Sequence, residues 1–129
     1  MNSSNGRSEA RSVILRLRHY RDRMQALAAA VADAPESGGG VAGAVLRKIK
    51  SLQADLANDA HECVIGRRRK AQSECEHDFL WPALQEAADA IRNEPALRTT
   101  DGRSNAAVRS AQGRIQHYLT QLEGRWPTL

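Results

Sequence analysis

Val13, Leu17, Tyr20, Met24, Leu27 and Val31 recur at intervals of 4-3-4-3-4, and that spacing constrains the fold more than any other feature of the chain. Such positions share one stripe of an α-helix but would scatter over both faces of a strand, so only a helix buries them together. Three further stripes repeat the pattern: Val45, Ile49, Leu52, Leu56, Ala60 and Cys63; then Leu80, Leu84, Ala87 and Ile91; then Val108, Ile115, Leu119 and Leu122. No segment shows strand alternation. The fold expected is all-α, a single-domain antiparallel bundle of three to four helices with heptad-like packing.

Breakers mark the joints. Residues 1–7 read as a disordered N-terminus and 8–126 as the bundle domain, with Ser8 as an N-cap and Glu9 beside it at the positive end of the helix dipole. Ala34-Pro35 and Gly38-Gly39-Gly40 end the first helix near Asp33, and Asn93 to Arg103 forms a second linker. Between them, 41–93 reads as one helix or as two, because Gly66 and Arg67-Arg68-Arg69-Lys70 interrupt the apolar pattern. Pro82 suits a first helical turn capped by Asp78, or else a kink. The last helix runs from about Ser104 to Gly124, with Trp126 closing the bundle end.

Length and composition set outer bounds. A chain of 129 residues makes one domain with a core of moderate size. No run reaches the ~18 apolar residues of a membrane span. The polar stretch Met1 to Ser12 holds no signal-peptide core, so a cytoplasmic location without membrane contact is expected. Cys63 and Cys75 make no disulfide framework. On a single helix they would stand about 18 Å apart, beyond bridging distance.

The mirror-like trios His61-Glu62-Cys63 and Cys75-Glu76-His77 contain four zinc-ligating side chains. On a helix, positions i and i+2 point about 200° apart, so neither trio offers both its ligands to one ion. Glu74 and His77 make one Glu-x-x-His, where a di-iron carboxylate site uses two copies. Gly38-Gly39-Gly40-Val41-Ala42-Gly43 precedes a helix but lacks the strand and the Gly-Lys-Ser/Thr of a P-loop.

The strings Arg18-His19-Tyr20, Glu76-His77-Asp78-Phe79-Leu80-Trp81-Pro82-Ala83-Leu84 and Gln116-His117-Tyr118-Leu119 resemble segments of hemerythrin-like cation-binding bundles. That resemblance implies a metal-binding bundle with a histidine on each helix. The family's paired ligands stand four residues apart, as His-x-x-x-Glu and His-x-x-x-His. Here Ile65 follows His61 at that distance, and Ser73 and Trp81 flank His77. At 100° per residue, His19, His61 and His117 turn away from their stripes and only His77 shares an apolar face. No metal, no cofactor and no catalytic residue is therefore expected, and the chain reads as a non-enzyme.

Charge supplies the functional expectation. Lys and Arg number 19 against 15 Asp and Glu, and sixteen of those cations are arginine, which forks onto phosphate and carboxylate. Arg7, Arg11, Arg18 and Arg21 fall within about 80° of one another on the first helix. Arg47 and Lys50 lie opposite the stripe of the second, and Arg67, Arg68, Arg69 and Lys70 crowd one turn. These ten residues are the candidate nucleic-acid contacts, to backbone rather than bases, since no aromatic residues are interleaved with them. Small size, helical class and basic faces together resemble the small subunits of RNA-guided effector complexes, which implies a scaffold or adaptor lining a nucleic-acid path. Two alternatives stay open. One is a small regulator or inhibitor that binds another protein through Phe79, Trp81 and Trp126, since aromatics dominate interface energetics. The other is a metal-binding, hemerythrin-like or redox bundle using His77 with Cys63 or Cys75. The long first stripe also offers a route to homo-oligomerisation.

Overall fold

A computed structural model of the chain describes residues 3–33, 40–68, 74–92 and 102–126. They form four helices packed against one another: α1 (Ser3–Asp33), α2 (Gly40–Arg68), α3 (Trp81–Arg92) and α4 (Gly102–Arg125). A π-helical turn, Glu76–Leu80, runs into α3 without a break. No strand occurs among the described residues. The fold is an all-α helical bundle.

Contacts between helices fix their directions. Arg18 of α1 reaches Glu123 of α4, while Gln25 and Ala28 sit beside Arg109 and Gln112. Advancing along α1 therefore means retreating along α4. Tyr20 meets Asp59 and Arg23 meets Asp55, which sets α2 antiparallel to α1. Tyr118 meets Glu86, and Arg125 lies level with Asp78, so α3 is antiparallel to α4. The chain thus runs up-down-up-down around the bundle.

All four apolar stripes are buried, and Leu17, Met24, Ile49, Leu56, Leu84 and Leu119 are wholly inside. The first stripe packs into this core, so it holds no free surface for a second copy. That overturns oligomerisation by that route. The seams are unequal: α1 packs closely on α4, α4 on α3 and α3 on α2, whereas α1 and α2 approach at few points.

Local departures from the sequence reading have physical causes. α1 begins at Ser3, so residues 3–7 are helical rather than disordered, and Ser8 lies inside the helix instead of capping it. The 41–93 stretch contains two helices, with residues 69–73 outside the described set, as are the loop 34–39 and the linker 93–101. Cys63 and Cys75 consequently belong to different helical segments, and neither is in a disulfide. Pro82 neither caps nor breaks its helix. It has no N–H, and its ring crowds the carbonyl one turn back. The backbone widens ahead of it, and the Trp81 N–H bonds to the Glu76 carbonyl five residues earlier.

Candidate nucleic-acid interface

Arg7, Arg11, Arg18 and Arg21 share one flank of α1, which Arg18 places beside α4, whereas Arg16 and Arg23 line the α1/α2 seam. Arg7 and Arg11 are exposed and have no acidic partner among the described residues. Arg18 is tied down. Its Nε donates to Glu123 Oε2 at 3.1 Å, and its side chain is only about a third exposed. Arg21 donates from Nε to Asp22 Oδ1 at 3.0 Å. The pattern of α1 alone does not reveal Glu123, because that pairing joins residues 105 positions apart.

Arg47 and Lys50 are exposed on the outer face of α2. Arg7, Arg11, Arg18 and Arg21 lie on the flank of α1 toward α4, so the two groups lie on different surfaces and make no continuous stripe. Arg67 and Arg68 occupy the final turn of α2, while Arg69 and Lys70 lie outside the described residues. Antiparallel register decides what that turn stands beside. Counting nine residues back from Tyr20 reaches Arg11, and nine forward from Asp59 reaches Arg68. The end of α2 is therefore level with Arg11 along the bundle, while Arg11 itself stands on the flank of α1 away from Tyr20.

α4 contributes Arg109 and Arg114, and the packing sends them to different neighbours. Arg109 lies on the edge facing α1, where a surface recess of about 360 Å³ is lined by Gln25, Ala28, Arg109 and Gln112. Arg114 instead turns to α3, 3.8 Å from Glu86.

The aromatic candidates have a different placement. Phe79, Trp81 and Trp126 are half-buried and pack against the core. The Trp126 N–H bonds to the Leu122 carbonyl at 3.0 Å, which extends α4 over the bundle end. There a recess of about 110 Å³ is shared with Glu9, Glu74, Cys75, Asp78 and Arg125. Burial, and then Glu9, push the Cys75 thiol up from its ordinary value, so the thiolate is disfavoured.

His19, His61 and His117 are exposed, and His77 is half-buried with Nδ1 2.9 Å from Asp78 Oδ1. Among the described residues no three His, Cys, Asp or Glu side chains converge as ligands for an ion. No described helix is long and apolar enough to cross a membrane. Two clefts line the wide α1/α2 seam, about 540 Å³ beside His19, Tyr20 and Asp59 and about 370 Å³ beside Leu27, Ala30 and Lys48, with Arg23 between them. The chain matches no protein-family model, no curated protein and no solved structure.

Proposed function

We propose that this chain is a non-enzymatic helical adaptor, or small subunit of a larger assembly, that contacts nucleic-acid backbone at one end of the bundle. The observation that carries this reading is the level placement of Arg11 with the end of α2. It brings Arg7 and Arg11, which have no acidic partner among the described residues, to the end where the segment Arg67-Arg68-Arg69-Lys70 begins. Arg18 and Arg21 hold acids of their own and have less to offer a phosphate. Glu9, Glu74 and Asp78 lie at the same end toward the π-turn, which confines the basic surface to the α1, α2 and α4 sides. Phosphate contact alone positions a duplex or strand without reading its bases. Cys63 and Cys75, neither of them in a disulfide, fit a reducing compartment such as the cytoplasm.

The test is binding of fluorescent single- and double-stranded oligonucleotides at two salt concentrations. Each phosphate contact contributes about 0.9 to the slope of log affinity against log salt on a duplex. The double variant Arg7→Ala/Arg11→Ala is expected to lower that slope by about 2, and the triple variant Arg67→Ala/Arg68→Ala/Arg69→Ala by about 3. Arg47→Ala/Lys50→Ala, on another surface, is expected to leave it unchanged. Absence of binding at low salt, or equal losses in all three variants, overturns the reading.

A further inference from the structure

We infer that the cleft between α1 and α2 binds a free α-amino acid with an aliphatic side chain. Four arginines of α1 are half-buried. Arg18 holds Glu123, Arg21 holds Asp22 and Arg23 holds Asp55, so three of the four are neutralised. Arg16 is the fourth, and among the described residues it meets no acid. A guanidinium drawn partly out of water without a counter-charge is costly. Arg16 lines the cleft of about 540 Å³ beside Tyr20 and Asp59, a volume within the range of small-molecule sites.

Two further unmatched groups line the same cleft. Asp59 accepts from the Tyr20 hydroxyl at Oδ2, but no cation pairs with it among the described residues. A carboxylate accepts at both oxygens, so Asp59 has room for a charged donor. Leu15 is 53% exposed, the one large apolar side chain left so open among the described residues. Asp55 is already matched, since Arg23 Nη1 donates to it at 2.7 Å. The cleft therefore presents a cation, an anion and an apolar surface, each without its complement.

All three complements occur together in one small molecule. The carboxylate of an amino acid forks onto Arg16, its ammonium donates to Asp59, and its side chain covers Leu15. Asp59 stands level with Tyr20 across the seam, and Tyr20 lies one turn, about 6 Å, beyond Arg16. Charge-assisted hydrogen bonds of about 2.8 Å at the two poles let a zwitterion bridge that interval. A simple anion would satisfy Arg16 but face the uncompensated Asp59, and a simple cation would meet the reverse. A nucleic-acid phosphate is such an anion, so this site is separate from the Arg7 and Arg11 end and stands independently of nucleic-acid contact. With two charged contacts in an open cleft, a dissociation constant on the order of 0.1–1 mM is expected.

Titration of the purified full chain with L-leucine, followed by the amide signals in nuclear magnetic resonance, tests it. Shifts are expected at the α1 and α2 residues that line the cleft. Two truncated analogues are titrated beside it: 4-methylpentanoate, which lacks the ammonium, and 3-methylbutylamine, which lacks the carboxylate. Each is expected to bind at least about tenfold more weakly. Arg16→Gln is expected to weaken leucine by at least about tenfold, with melting unchanged because Arg16 holds no acid within the protein. Asp59→Asn is expected to weaken leucine as much, while its amide oxygen still accepts from Tyr20. If Asp59→Asn fails to fold, Arg16→Gln and the analogues carry the test. Absence of shifts up to about 10 mM leucine overturns the inference. So does an analogue that binds as tightly as leucine, or leucine binding that Arg16→Gln leaves intact.

Discussion

Tyr20 occupies a stripe position where a neighbouring helix would place leucine, and burying its ring takes the hydroxyl out of water unless a partner accepts it. Asp59 accepts it across the α1/α2 seam. Burial first, and the Asp59 bond second, raise the Tyr20 phenol well above its ordinary 10.0. Tyr118 is raised as well, first by its bond to Glu86 and then by burial. These are the only two tyrosines. A raised native value means that the stabilisation is fully present below the unfolded value of 10.0 and is lost as pH climbs through the native ones. Near-ultraviolet phenolate absorbance is expected to show less ionisation of the folded chain at pH 10 than of the denatured chain, which is about half ionised there. Tyr20→Phe leaves Asp59 without its donor and is expected to cost about 1–2 kcal/mol in chemical denaturation. A titration in which native and denatured curves coincide would show that neither bond holds in solution. Neither partner was legible in the sequence, since each bond joins different helices. The outward direction of His19, His61 and His117 was legible, because it depends only on rotation about the helix that carries each one.

Each helix announced itself through its stripe because burial acts on every turn, and every stripe residue named in the sequence is buried. Ends were harder to read. The start of α1 at Ser3 has no apolar signal, and the polar residues before Ser8 fit helix or coil equally well. Pro82 was ambiguous for a related reason. A proline demands a local adjustment without saying which, and the π-turn answers that demand while keeping Leu80 and Leu84 both buried. Packing makes the stripes sensitive to truncation. Leu52→Ala and Leu119→Ala, each opening a cavity in a fully closed site, are expected to destabilise by about 2–5 kcal/mol. Arg47→Ala on an exposed face should stay within about 0.5 kcal/mol. Urea denaturation of the three variants makes the comparison, and equal midpoints would contradict the core assignment.

At the scale of the whole bundle, what the sequence left unread is the order of helices around the core, and the candidate interface depends on that order. Arg18 read as a free cation until α4 brought Glu123 beside it. Arg47 and Lys50 were grouped with the α1 arginines until the packing set them on another surface. Close packing runs as a series from α1 to α4 to α3 to α2, and the ring closes only through the wide α1/α2 seam. Among the described residues two polar ties cross that seam, Tyr20 to Asp59 and Arg23 Nη1 to Asp55 Oδ2 at 2.7 Å. Arg23 and Asp55 remain partly exposed, and a partly exposed ion pair contributes roughly 0–1 kcal/mol. α3 and α4 each have two close neighbours, while α1 and α2 each have one, so opening the seam exposes one side of α1 and α2 and leaves the α3/α4 pair closed. Such sub-global opening is what native-state hydrogen exchange measures. The central amides of α3 and α4 are therefore expected to exchange most slowly, and those of α2 near Asp55 and Asp59 faster. Tyr20→Phe should accelerate the α2 amides and leave those around Ile115 and Leu119 nearly unchanged. Uniform acceleration across all four helices would mean that the bundle opens as one unit and that the wide seam has no separate motion.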